Sequence, residues 1–503
     1  MSTTPAIEQI EEKAVAKQPS VKHQPTSKSS WRIADLTVLG VWILVTTFTL
    51  IHHEKWADEA QAWLLARDLD LPTLWFKELR YEGTPGLWHS ILWLAQHILH
   101  IPYSGLGAIG LLLATVGVAF MLLRAPFPAY VRYLLAFSYF MLYQYAVIAR
   151  PYVLLPLLAF AAALLFKDAK HPERITIVLV LLANLTLHGV LLTACIGLAF
   201  LWQAKRLWAG LDEPVRGRYV LCTGALLLVL FFVFAVINPP PDVSALNTVQ
   251  AKTLSVIVPE AWQGINGAFF DWTPLTLAWL ALMGGWCFMR KDANGLLLPI
   301  MVLVLGGFFG FYGAPHHQGT MFIAAITGFW IAWPTKREEK TFSVHARWTH
   351  QALVVGLVCL LGYQTWNAVV VVGNEYRYPY SGAEDAVKYL KSVGADHLSV
   401  NGYLLGMSAV QAQFDHNILA NRPAAYFHLG GPAELNLDQD IKTYAADYVV
   451  FPVWDDWQAA KAGMFDPDMQ ASGYSLVHVS NGYLSFKRSE DIKEVYLIYH
   501  RNQ

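Results

Sequence analysis

Uncharged apolar runs recur from residue 36 to residue 372, and each is about 14–24 residues long, close to what a helix needs to cross a bilayer. Few folds accommodate that pattern. Backbone inside a membrane must satisfy its own hydrogen bonds, so runs of this length are expected as helices. Composition agrees: 55% of the 503 residues are hydrophobic and 15% charged, where a soluble chain carries about 25% charged. These features predict a polytopic α-helical membrane protein. A formal net charge of -1 gives no reason to expect nucleic acid as a partner.

Basic residues decide the threading, because loops rich in Lys and Arg stay on the cytoplasmic side. The candidate spans are 36–52, 85–101, 104–123, 130–148, 152–166, 175–203, 219–237, 274–289, 294–313, 318–334 and 350–372. Taking each as one crossing puts Arg124, Arg132, Lys167, Lys170 and Arg174 outside. Two changes remove the conflict. The run 85–101 (PGLWHSILWLAQHILHI) carries His89, Gln96, His97 and His100, an amphipathic composition suited to the interface. The run 175–203 reads as two short helices of about 14 residues each, meeting at Thr186-Leu187-His188-Gly189. About eleven transmembrane helices result, with the N-terminus inside and the C-terminus outside. The stretches 124–132, 167–174, 205–218, 289–292 and 336–347 then share the cytoplasmic side, and the outer loop 238–273 holds one basic residue, Lys252.

Residues 1–34 are polar and read as a disordered cytoplasmic tail, followed by an uncleaved signal anchor at 36–51. Residues 35–373 form the transmembrane part, with a first external loop at 53–103 bearing interfacial helices. Cys195, Cys222, Cys287 and Cys359 lie inside apolar runs at unrelated spacings, so they read as packing residues. Residues 374–503 change pattern: SGAEDAVKYLKSVG (381–394) is helix-like, while DHLSVNGYLL (396–405) and YVVFP (448–452) are strand-like. YSLVHVSNGYLSFKR (474–488) suggests a hairpin turning at Asn481-Gly482. An external α/β domain is expected there.

Polar residues gather in the outer loops. Asp58 and Glu59 follow the first span in IHHEKWADEAQAW, and Arg80 and Glu82 stand in RYEGTPG. His89 lies in the interfacial run, Arg150 in AVIARPY, His188 in TLHG, and His316-His317 in GAPHHQG. Ionisable groups converging at one membrane face make a functional site the working hypothesis. Asp58 with Gln61 three residues on also reads as a capping box opening a helix. No HExxH, CxxC or glycine-rich phosphate loop is present. An arginine and a histidine at the interface suit a lipid phosphate, while a nearby carboxylate suits removal of a proton from an acceptor.

The order of these segments resembles a known family. WADEAQAW follows an anchor span, then come YEGTPGLWH, IARPYVLLPLLAF and the split helix at NLTLHG. Over about residues 30–372 they are similar to the GT-C superfamily. These polytopic glycosyltransferases use lipid-phosphate sugars; they include protein O-mannosyltransferases, the lipid A aminoarabinose transferase and the catalytic oligosaccharyltransferase subunit. The resemblance implies a first-loop acidic residue as base or metal ligand, falling on Asp58 with Glu59 as the alternative. It allows a divalent cation at Asp58/Glu59. Many members place another carboxylate in the second external loop, where this chain offers Arg150 and neither Asp nor Glu.

The expected protein is therefore an inverting glycosyltransferase of a bacterial inner membrane, with its C-terminal domain in the periplasm. It would move one sugar from a polyprenyl-phosphate donor to a glycan, lipid or protein acceptor. Asp58 would act as base, with Arg150 and His188 or His316 holding the phosphate. The rival readings are a transporter or flippase of lipid-linked saccharides and a lipid-linked glycan polymerase or ligase. Charge-free span centres and the lack of an internal repeat weigh against the transporter.

Overall fold

The computed structural model describes residues 32–240, 252–290, 293–395, 397–428, 437–454, 465–487 and 494–502. The reading of the N-terminal tail falls outside these up to residue 31, and Ile33 already opens the first helix. The chain leaves α1 (Ile33–His52) into α2 (Ala57–Asp68), a run of short helical turns between Leu71 and Glu82, and α3 (Leu87–His97). It then threads back and forth through α4 (Leu106–Arg124), α5 (Ala129–Ala136, prolonged by a π turn at Phe140–Gln144) and α6 (Leu155–Leu165). Four helices follow, α7 (Pro172–Ala183), α8 (Leu187–Leu207), α9 (Glu213–Ile237) and α10 (Leu254–Ala268). The last passages are α11 (Thr273–Arg290), α12 (Ala293–Phe311), α13 (Gln318–Ala332) and α14 (Val344–Arg377).

Leaving aside α2, α3 and α10, eleven passages among the described residues make the bundle of a polytopic membrane protein. Among the described residues six helical stretches are long and apolar enough to cross a membrane by length and composition. The shorter passages survive because protein surrounds them: every residue of α13 is buried. A buried short helix has its ends solvated by neighbouring polypeptide, where lipid could not do so.

Charge sorts the two ends of the bundle. At one end Arg132 lies 3.5 Å from Asp35, Arg218 3.4 Å from Glu173, and Arg290 3.8 Å from Glu338. Lys167 Nζ reaches the Trp333 carbonyl at the same end, at 3.5 Å. These are the basic stretches that the threading argument places together. The opposite end carries the C-terminal domain and the polar loops.

Two departures from simple crossings sit at the domain end. The 11 residues of α3 span about 16 Å, no more than those of α6, but this helix does not run through the bundle. This helix instead lies along α2, where Trp93 Nε1 donates to the Leu69 carbonyl (3.1 Å) and Gln96 Nε2 to the Trp63 carbonyl (3.1 Å). Its Leu94 face stays exposed, as an interfacial helix requires. The run 175–203 does split, but at 184–186, and the second helix has 21 residues where about 14 were expected. Thr186 caps α8 by accepting from the Gly189 N–H (3.0 Å). Gly189 is required there, since a Cβ would stand 2.2 Å from the Leu182 carbonyl oxygen.

The C-terminal domain opens with α15 (Ala383–Ser392) and holds a four-stranded sheet in the order β1-β2-β4-β3. Its strands are β1 (Val400–Gly402), β2 (Tyr448–Trp454), β3 (Tyr474–Gly482) and β4 (Glu494–Arg501). β1 runs parallel to β2 (Val400 opposite Tyr448), and both other pairings are antiparallel (Val450 opposite Ile498, Val479 opposite Leu497). The expected turn at Asn481-Gly482 is wrong, because both residues are still paired in β3, opposite Val495 and Glu494. Gly482 is there for close approach: its Cβ would meet the Gly382 backbone nitrogen at 2.5 Å. The strand-like stretch 396–405 contributes only Val400–Gly402 as strand.

After β3 the chain dives toward the membrane part. Lys487 is buried, and its ammonium meets Asp271 (2.7 Å), the Gln318 amide oxygen (3.1 Å) and the Gly267 carbonyl. Lys487→Met should cost about 1.5–3 kcal/mol, the range for hydrogen bonds to a charged group. The expected readout is faster proteolytic release of the C-terminal domain in detergent. Wild-type resistance would show that this contact does not hold the domain down.

Candidate active site

Helix α2 starts a few residues beyond α1, and its first turn sorts the acidic pair. Glu59, not Asp58, is the capping residue: Glu59 Oε2 accepts from the Trp56 N–H at 3.3 Å. The same carboxylate accepts the Ala149 N–H (2.7 Å) and faces His53 Nε2 (3.0 Å). His53 Nδ1 meets Glu375 of α14 at 3.0 Å, and Glu375 also accepts the Tyr143 hydroxyl. Glu59 is thus buried and turned into the protein. Burial opposes a charge on His53, but Glu375 and Glu59 on either side hold its pKa up at about 10.

Neighbours on a helix point about 100° apart, so Asp58 faces the other way. It opens onto a cavity of about 370 Å³ at the domain end of the bundle, within the range of small-ligand sites. Arg150 closes on it, with Nη2 3.0 Å from Asp58 Oδ2. Pro151 holds Arg150 extended (φ -122°, ψ 170°), and the Glu59–Ala149 bond fixes the residue before it. The guanidinium packs over Trp56 and Tyr152 at 5.8 and 5.6 Å. Its other amino group, Nη1, is buried without a hydrogen-bond partner.

Glu82, His89, His316 and His317 line the same cavity. Both ring nitrogens of His89 and Nδ1 of His317 are buried without partners. Burial lowers the His89 pKa to about 4 and holds both His316 and His317 well below the ordinary range, with Arg150 adding to the latter effect. These imidazoles are neutral at pH 7. Burial raises Glu82 to about 8 against a hydrogen bond from Gln61, and the nearby Asp58 charge adds to the rise. The cavity therefore presents the Arg150 guanidinium with spare donor capacity, the Lys252 ammonium already paired with Glu260 (2.5 Å), one carboxylate and several neutral donors.

Besides Glu59, two of the polar residues singled out above stand elsewhere. Arg80 donates through Nε to the Asn238 carbonyl (2.9 Å) and does not line the cavity. His188 sits behind His317, with ring centroids 4.5 Å apart, and is also outside the lining. Gln61, Tyr152, Tyr312 and Lys252 do line it, and none was singled out for chemistry. Their only signal was position: Gln61 lies one turn beyond Asp58, and the others adjoin Arg150, His316 or the outer loop. A larger cavity, about 620 Å³ and lined by Lys55, Trp63 and Tyr103, lies on the far face of α2, and neither Asp58 nor Arg150 reaches it.

Asp58 and Glu59 do not fit a divalent cation. One carboxylate pairs with Arg150, and the other spends its oxygens on His53, Trp56 and Ala149. Among the described residues no three His, Cys, Asp or Glu side chains group as metal ligands.

No family model matches the chain, and no curated protein matches it in sequence. Among solved structures it is similar to the crystal structure of ArnT from Cupriavidus metallidurans bound to undecaprenyl phosphate. The TM-score is 0.51 at 13% identity, over 92% of this chain and 97% of that one. At that identity the similarity is one of fold: a helical membrane bundle with a small C-terminal domain.

Proposed function

We propose that the protein is a membrane glycosyltransferase that takes a sugar from a polyprenyl-phosphate donor and passes it to an acceptor at the face carrying the C-terminal domain. One observation carries the reading. Arg150 holds Asp58 with one amino group and keeps the other buried and unpartnered in the same cavity. A buried, unpaired guanidinium N–H is strongly disposed to an anion, and phosphate matches its geometry. That the ArnT structure contains undecaprenyl phosphate supports the same class of ligand.

The chemistry follows as a single displacement. Asp58 takes the proton of the acceptor hydroxyl or amine as that atom attacks the anomeric carbon. The bond from that carbon to the phosphate oxygen breaks, and its electron pair leaves on the phosphate. Arg150 meets the charge that develops, with His316 and His317 as neutral donors beside it. Attack from the face opposite the phosphate inverts the anomeric centre. His188 acts through His317, and Glu59 through the backbone that carries Arg150. In this reading the membrane is a bacterial inner membrane and the C-terminal domain is periplasmic, consistent with the basic loops at the other end.

The direct assay uses purified protein with a polyprenyl-phosphate carrying a labelled sugar. Loss of label from the lipid, with polyprenyl phosphate as product, is expected. Passage of the intact lipid-linked sugar across a reconstituted bilayer without transfer would sink the proposal in favour of a flippase. Products lengthened by many units would mark a polymerase. Arg150→Lys keeps the charge and loses the planar fork, and should lower kcat/KM about tenfold. An unchanged value would remove Arg150 from phosphate binding.

A further inference from the structure

The C-terminal domain does more than cover the cavity, because one of its segments grips a side chain inside it. Gln61 is fully buried and lies three residues beyond Asp58, on the same face of α2. Its amide has two donors and two acceptor sites, and all are used. Nε2 donates to Glu82 Oε1 (2.9 Å) and to the Phe427 carbonyl, while Oε1 accepts from the Phe427 N–H (3.0 Å) and Ser408 Oγ (3.1 Å). Three of these four contacts come from the C-terminal domain; only the bond to Glu82 belongs to the membrane part.

We propose that Gln61 is a positioning residue through which the docked C-terminal domain sets the Glu82 carboxyl beside Asp58. This rests on the reading of Asp58 as the base. The Phe427 N–H fixes which way the amide faces, because a reversed amide would put two donors against each other. The group offered to Glu82 is therefore N–H only while Phe427 is in place. A second contact holds the same segment: His428 Nε2 lies 2.8 Å from Glu78 Oε2, and its ring stacks on Tyr81 at 4.0 Å. Glu78, Tyr81 and Glu82 share one helical run, so His428 meets that run at two points.

Glu82 reports the arrangement. The charged and titratable groups facing it are Asp58 from α2, Arg150 from its loop, Tyr312 just after α12, and Glu78 with its partner His428; His89, Tyr152, Lys252, His316 and His317 line the same cavity. The Gln61 hydrogen bond favours the charged form of Glu82, so losing it shifts ionisation to higher pH.

The test is infrared titration of the full-length protein in lipid nanodiscs, with the Glu82 carboxylic-acid band identified by its loss in Glu82→Gln. The wild-type midpoint is expected near pH 8. Gln61→Leu should move it up by about 0.5–1 unit, and Ser408→Ala, which alters the grip from the domain side alone, should move it in the same direction. Midpoints equal to wild type in both variants overturn the proposal. The titration needs no sugar donor, so it stands apart from the transferase assay. A protein that shows the shifts but transfers no sugar keeps the grip on Glu82 and loses only the assignment of Asp58.

Discussion

Asp58→Asn should reduce sugar transfer about 10²–10⁴-fold, the usual contribution of a positioned general base. The substitution keeps the shape of the side chain and removes only its ability to take a proton. Asp58 is not part of what holds α2 in place, since Glu59 makes the cap and the buried contacts. Its side chain is also partly exposed, at 19%, so an amide there is not forced into an apolar setting. A folded variant is expected, with elution and melting close to wild type. Donor binding should persist or tighten, because Arg150 loses the carboxylate that competes with phosphate for it. The prediction is thus a split: turnover collapses while affinity for polyprenyl phosphate does not. Wild-type turnover by the folded variant would remove Asp58 from the chemistry. Equal losses of turnover and affinity would recast it as a binding residue.

The contrast between Asp58 and its neighbour shows what the sequence could and could not tell. Apolar runs, basic loops and the amphipathic run at 85–101 are local properties, and they sufficed for the polytopic helical bundle. Asp58, Arg150 and His316 could be singled out because each stands where a span ends in a polar loop, and the three line one cavity. The division of labour within Asp58-Glu59 was not read, although helical geometry alone would have turned the two apart. What decides it is Glu375, reached from His53 across 322 residues of sequence, and no local pattern announces that contact. The same holds for Gln61, whose partners Ser408 and Phe427 lie in another part of the chain. At Asn481-Gly482 the local signal misled for a physical reason. A glycine that favours turns was needed for contact with the backbone at Gly382, and the strand ran on through it.

His53→Leu should destabilise the protein by about 3–5 kcal/mol, the loss expected when one member of a buried ionic group is removed. His53 is the cation between Glu59 and Glu375, with both contacts at 3.0 Å and all three residues buried. Without it, two carboxylates face each other in a low-dielectric interior with only the Tyr143 hydroxyl and two backbone N–H groups to satisfy them. The variant should melt earlier and lose activity through the Arg150 loop, since Glu59 holds the Ala149 N–H. A pH series separates this from a simple packing defect. The folded pKa of His53, about 10, lies above its ordinary value near 6.5. Its contribution to stability is then fully present below pH 6.5 and drains away as pH rises toward 10. Wild type should lose melting temperature across that window, whereas His53→Leu, whose two buried carboxyls must share a proton in place of the lost cation, should begin to lose it at lower pH, from the ordinary carboxylate range upward. Parallel profiles for the two proteins would mean that the His53 charge does not hold the triad together. Replacing the whole triad, with His53→Leu, Glu59→Gln and Glu375→Gln combined, should recover part of the stability, because no uncompensated charge is left buried.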